Sequence, residues 1–145
     1  MASSHDLFPA RTRRRRPRVR VSSYELGRHI AEAMLSKKAE NVLLLDLRGL
    51  TDVVDYFVIG SGGSDLQVKA IADAIEEEVR KHLGEKPWHV EGYANRQWVL
   101  LDYVDVVAHV FYAPVRSYYN LERIWGDAPV EFFTDGPPSE KEGAP

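Results

Sequence analysis

Apolar positions along this chain fall into two rhythms, and the rhythm changes at residues that cap or turn a backbone. Ser22-Ser23-Tyr24-Glu25 is a capping box ahead of Leu26, Ile30, Ala33 and Met34 at helical spacing, which predicts a helix over 23–38. Asn-Val-Leu-Leu-Leu-Asp-Leu at 41–47 is a near-continuous apolar run, the mark of a buried strand, and Asp-Tyr-Phe-Val-Ile at 55–59 is a second. Gly60-Ser61-Gly62-Gly63-Ser64 then turns the chain into a second helix. Ser64 and Gln67 form another capping box there, and Leu66, Ala70, Ile71, Ile75, Val79 and Leu83 keep the period up to Gly84. Residues 87–92 read as a short strand, and Trp98 to Phe111 as an antiparallel hairpin. Pro114 opens a third helix with Tyr118, Leu121, Ile124 and Trp125 on one stripe, and a strap follows from Asp127. The order α-β-β-α-β-β-β-α describes an α/β single domain, a mixed β-sheet with packed helices.

The hairpin carries the most information. A two-residue turn at Val104–Asp105 pairs Tyr103 with Val106 and Trp98 with Phe111. Because strand side chains alternate, Val99, Leu101, Tyr103, Val106, Ala108 and Val110 share one apolar face. Trp98, Leu100, Asp102, Val107, His109 and Phe111 share the other, which mixes large apolar groups with a carboxylate and an imidazole. Such a face packs a second layer or meets a partner.

Composition and charge set the boundaries. The 145 residues suffice for one core, placed over 22–130. Residues 1–21 form a basic arm with the run Arg13–Arg16, and block charge of this kind predicts disorder, as the composition does for the tail at 131–145. The chain has no cysteine, which excludes disulfides and thiol chemistry. No apolar run is long enough to span a membrane, and a cytoplasmic location is expected. The net charge of −3 hides an asymmetry: residues 11–20 hold seven arginines, leaving −10 for the remainder. An acidic body attracts a basic protein surface, whereas the arm suits RNA phosphate.

Catalytic signatures are incomplete. The Gly60–Ser64 turn sits where phosphates are often cradled, but lacks the Lys-Ser/Thr end of a P-loop and the full G-x-G-x-x-G spacing. A metal-dependent nucleotidyltransferase would use Asp65 and Asp102; the triplet Asp65-Leu66-Gln67 puts glutamine where a second carboxylate must bridge two Mg²⁺ ions. The five histidines do not cluster at metal-ligand spacing, so neither a metal site nor a cofactor is expected. Aromatics remain: Trp88, Trp98, Tyr103, Phe111 and Tyr112 lie on or beside the last strands with acids interleaved, a composition shared by interface centres and by cores.

Asp55-Tyr56-Phe57-Val58-Ile59 with Ser61-Gly62, Glu91-Gly92, Trp98 through Asp102, Asp105 through Phe111 and Tyr118 through Ala128 together resemble the ribosomal silencing factor family, also called Iojap or RsfS. The likeness covers about residues 22–130. It implies a nucleotidyltransferase-like α/β fold without that activity. It also implies binding to ribosomal protein fourteen of the large ribosomal subunit, which sterically blocks association with the small subunit and represses translation. A part in late large-subunit assembly and a homodimer when free are further implications. The docking surface carried over to this chain comprises Trp98, Leu100, Asp102, Tyr103, Asp105 and His109, with Trp88 and Glu91 nearby. Within it, Trp98 is the expected anchor and Asp102 and Asp105 the expected partners of Lys or Arg. A weak rRNA contact falls to the Arg13–Arg16 arm. The family commonly has glycine where this chain has Val104, which predicts a wider hairpin turn here.

Overall fold

In a computed structural model, residues 21–133 are described. The expected arm over 1–21, apart from Val21, and the tail beyond Phe133 lie outside them. Helix α1 (Ser23–Ser36) is followed by β1 (Glu40–Asp46), β2 (Tyr56–Gly62), α2 (Asp65–Leu83), β3 (His89–Glu91), β4 (Trp98–Asp102) and β5 (Val106–Tyr112). Two short helices, α3 (Ala113–Tyr119) and α4 (Leu121–Ile124), precede a last strand, β6 (Val130–Phe133). The strands form one six-stranded sheet in the order β3-β4-β5-β2-β1-β6. β2 and β5 run parallel, which requires the crossover that α2 provides; the other neighbours are antiparallel. The chain is thus a single α/β domain with a mixed sheet.

Both capping serines act as expected. Ser22 Oγ accepts the Glu25 N–H at 3.0 Å, and Ser64 Oγ accepts the Gln67 N–H at 3.1 Å. Gly84 closes α2 in the left-handed region at φ 69°. α1 and α2 cover one face of the sheet, burying Leu26, Ile30, Met34, Ile71, Ile75 and Val79 against Val58, Leu101, Val106 and Val110. The approach is close: a Cβ at Gly60 would stand 2.7 Å from Met34 Sδ, and one at Gly27 2.9 Å from Leu44 Cδ1. Glycine at 60 therefore serves helix-on-sheet packing, and Gly60–Gly62 belong to β2 rather than to a turn.

The hairpin register matches the sequence reading, with Trp98 opposite Phe111, Leu100 opposite His109 and Asp102 opposite Val107. The turn is not wider. Val104 itself takes φ 77°, and the Asp105 N–H donates to the Tyr103 carbonyl at 2.9 Å, closing a γ-turn that side chains rarely accept. Asp102 supports it: Oδ1 accepts the Val104 N–H at 2.8 Å.

Two differences concern the C-terminal third. The helix expected from Pro114 through Trp125 breaks at Asn120, in the left-handed region at φ 50°. The strap expected from Asp127 pairs with β1 from Val130 onward, Leu45 opposite Val130 and Val42 opposite Phe133. Residues 131–133, assigned by composition to a tail, are thereby part of the sheet.

Candidate functional site

The sheet's second face is buried at its centre and open along the edge strand β6, where Val130 and Phe132 are exposed. Leu43, Leu45, Phe57, Ile59, Leu100, Val107 and Phe111 line it, and the strip from α3 through Ala128 lies across its middle, contributing Leu121, Ala128 and the half-buried Val115 and Trp125. The hairpin's polar-aromatic face points here. The Trp98 indole N–H donates to His109 Nδ1 at 3.1 Å, and the Trp98 ring stacks on Phe111 at 4.9 Å. Phe57 meets the His109 ring edge-to-face at 4.3 Å and Trp125 at 6.0 Å. His109 is wholly buried, and desolvation pushes its pKa down to about 3. The ring is therefore neutral, and with Nδ1 accepting, its proton sits on Nε2, which has no partner among the described residues.

The predicted docking set divides. Leu100, Asp102, Tyr103 and His109 are buried within the chain. Tyr103 lies on the opposite, helix-covered face, and burial raises its phenol's pKa. Asp102, expected to pair with a partner's cation, has a wholly buried carboxylate whose Oδ1 accepts the Val104 N–H at the hairpin turn. Of the set, Trp98, Trp88, Asp105 and Glu91 reach solvent. Trp98 has a structural duty as well as an open edge. Glu91 meets His89 Nε2 at 2.7 Å on the short edge strand.

Sequence reasoning missed the exposed part of this face. Beyond Trp98 the aromatic chain continues outward: Tyr119 lies 4.8 Å from Trp98, and Tyr118 lies 5.1 Å from Tyr119, edge-to-face. Tyr118 is 81 % exposed, Tyr119 47 % and Ile124 66 %. Had the helix run straight through Trp125, Tyr118 and Ile124 would share the buried stripe with Leu121. The break at Asn120 turns them out. The available signal was Asn120 itself, since asparagine tolerates the left-handed region better than other side chains.

The enzyme-type constellation does not assemble. Asp65 starts α2, just past the C-terminal end of β2, whereas Asp102 pairs with Val107 near the opposite end of the parallel pair. The glycine turn is filled by the protein's own side chain: Gln67 Oε1 accepts the Gly63 N–H at 2.7 Å, and Nε2 donates to the Lys37 and Lys38 carbonyls at 3.0 and 3.1 Å. Among the described residues, no three His, Asp or Glu side chains are placed to hold a metal ion, and no helix is long and apolar enough to cross a membrane.

Comparison with known proteins agrees with this geometry. The family described as "Ribosomal silencing factor during starvation" matches residues 20–144. The ribosomal silencing factor RsfS of Bacillus subtilis is 48 % identical over 100 residues, covering 69 % of this chain and 84 % of the relative. RsfS of Halalkalibacterium halodurans is 43 % identical over 110 residues, covering 76 % and 93 %. A crystal structure of a protein from Chromobacterium violaceum superposes with a TM-score of 0.71 at 30 % identity, covering 79 % of this chain and 95 % of that one. A matching family profile over most of the chain, close relatives of similar length and a shared fold place this chain in the ribosomal silencing factor (RsfS) family.

Proposed function

We propose that this chain silences ribosomes by docking on the large subunit, through ribosomal protein fourteen, so that the small subunit cannot join. The observation that carries this reading is the aromatic ridge Trp98–Tyr119–Tyr118 with Ile124, exposed on the strip that covers this sheet face, on an acidic body. Residues 21–133 hold eleven Lys and Arg against eighteen Asp and Glu, a net of −7. A rigid aromatic ridge provides area at little entropic cost, and surrounding acids complement a cationic protein surface. Asp105 on the hairpin, Glu122 and Asp127 on the strip that roofs this face, and Glu91 on β3 are exposed or half-exposed acids. Blocking is steric, so occupancy of the joining surface is the whole mechanism.

The test is co-sedimentation with separated ribosomal subunits, followed by subunit joining in the presence of the protein. Retention on large subunits alone, inhibition of joining, and competition by isolated ribosomal protein fourteen are expected. Tyr119→Ala should weaken retention by about 2 kcal/mol or more, the usual scale for an aromatic anchor. Protein that ignores large subunits yet gives a calorimetric signal with Mg²⁺ and a nucleoside triphosphate would replace this reading with the enzymatic one.

A further inference from the structure

The exposed ridge stands on two helices of seven and four residues, both too short to hold their own shape in water. Apolar anchoring is thin: along 113–124 Leu121 is the buried apolar side chain and Val115 is half-buried. What fixes the strip is a guanidinium. Arg116 is 8 % exposed, and its Nε and Nη2 converge on Glu122 Oε2 at 3.0 and 2.7 Å, across the Asn120 break. Its Nη1 donates to Ser61 Oγ at 3.1 Å and to the Glu40 carbonyl at 3.3 Å. Four elements, α3, α4, β1 and β2, thus meet at one planar group. A lysine ammonium has one nitrogen and could not reach both sets of acceptors with that geometry.

We propose that Arg116 is the positioning residue of the docking surface. It sets the angle at which α3 and α4 leave the sheet, and with it the place of Tyr118, Tyr119 and Ile124 relative to Trp98. The proposal rests on the docking reading above. Its physical content is preorganisation: a ridge held in place before contact loses less freedom on binding than one that must be ordered then. The Leu121 side chain, the Trp125 ring and the β6 pairing all act after the break, while on α3 itself the half-buried Val115 and the Tyr119–Trp98 ring contact act before it, and none of them spans the break as Arg116 does.

The experiment compares wild type with Arg116→Gln, Glu122→Gln, Tyr119→Ala and the double variant Arg116→Gln/Tyr119→Ala. Amide hydrogen exchange over 113–125 should quicken at least tenfold in Arg116→Gln, while α1 and α2 exchange as in wild type. Affinity for large subunits should fall at least tenfold, and Glu122→Gln should move both readouts the same way by less. The losses from Arg116→Gln and Tyr119→Ala should be non-additive, because Arg116 acts through the position of Tyr119; a merely structural role gives additive losses. Unchanged exchange, additive losses, or quickened exchange with full affinity would overturn the proposal. Should Arg116→Gln fail to fold, Glu122→Gln paired with Tyr119→Ala applies the same criteria. If wild type itself is not retained by large subunits, the docking reading fails and the proposal with it, whereas wild-type retention with an unaltered Arg116→Gln variant defeats the proposal alone.

Discussion

His109 keeps its ring wholly out of water, with Nδ1 accepting the Trp98 indole N–H and Nε2 facing no acceptor among the described residues. Its pKa is pushed down from 6.5 to about 3 by burial, so the unfolded chain takes up a proton at mildly acid pH that the folded chain refuses. The sign follows: the contribution is fully present above pH 6.5 and is lost as pH falls from there toward 3. Urea midpoints between pH 7.5 and 4.5 should therefore show stability falling below pH 6.5 by about 1 kcal/mol per pH unit, the linkage slope for one proton. Staying above 4.5 avoids Asp46, whose carboxyl the Arg48 guanidinium holds below the usual range. His109→Gln, which can still accept from Trp98 but does not titrate, should flatten the profile; an equally steep slope in the variant would assign it elsewhere. Tyr103 is the complementary case, a buried hydroxyl with no hydrogen-bond partner among the described residues. Removing an unsatisfied buried hydroxyl returns its desolvation cost, so Tyr103→Phe should raise stability by up to about 1 kcal/mol and leave large-subunit retention unchanged. A loss of stability on that substitution would reveal a partner for the hydroxyl.

Between residue and fold, elements were legible wherever a local rule decided them. The capping serines 22 and 64, the αL glycine at 84 and the alternation across Trp98–Phe111 each belong to a rule spanning a few residues, and each is found in place. Apart from the break at Asn120 and the γ-turn at Val104, which are local, the failures share a physical source: long-range packing outweighs local propensity. Gly60–Gly62 read as a turn because glycine is rare in strands, yet Met34 on α1 leaves no room for a side chain at position 60. Val130–Phe133 looked like strap because its pairing partner, β1, lies about 85 residues earlier in sequence. Burial was the least legible quantity: alternation correctly grouped Asp102 and His109 on one face, but nothing local revealed that the strip beyond Tyr112 would roof that face. Gln67 shows an element-level consequence. Its side chain joins the β2–α2 turn to the α1–β1 connection through three hydrogen bonds at the protein surface. Gln67→Ala should cost about 1.5–3 kcal/mol, at roughly 0.5–1 for each of the three partly solvated bonds, and should speed exchange of the Gly63 amide. It should not create nucleotide binding; calorimetric heat with a nucleoside triphosphate in the variant would show that the glutamine had been occluding a working phosphate site.

At the scale of the whole molecule the charge distribution makes two separable demands on binding. The described body carries a net of −7, while residues 11–20, outside the described region, add seven arginines. If docking is steered by the acidic body toward a cationic protein, salt slows association and leaves dissociation nearly unchanged, because screening acts over about 10 Å at 0.1 M and not at direct contacts. If instead the arm grips RNA phosphate, affinity falls with the logarithm of salt at a slope close to the number of phosphates neutralised. Both effects weaken binding as salt rises, so a single titration in equilibrium mode cannot separate them. Removing residues 1–20 does, since it deletes every arm contact and leaves the body's field intact. The expected outcome is that the truncated protein keeps a salt-dependent association rate, with the same sign, when flowed over immobilised large subunits at 50 to 300 mM salt. Loss of that dependence on truncation would transfer the steering from the body to the arm. Because the arm's charge opposes the body's, truncation should also steepen association with isolated cationic ribosomal protein fourteen, where no RNA is present to reward the arginines; a slower association there would mean that the arm, not the acidic face, meets the protein.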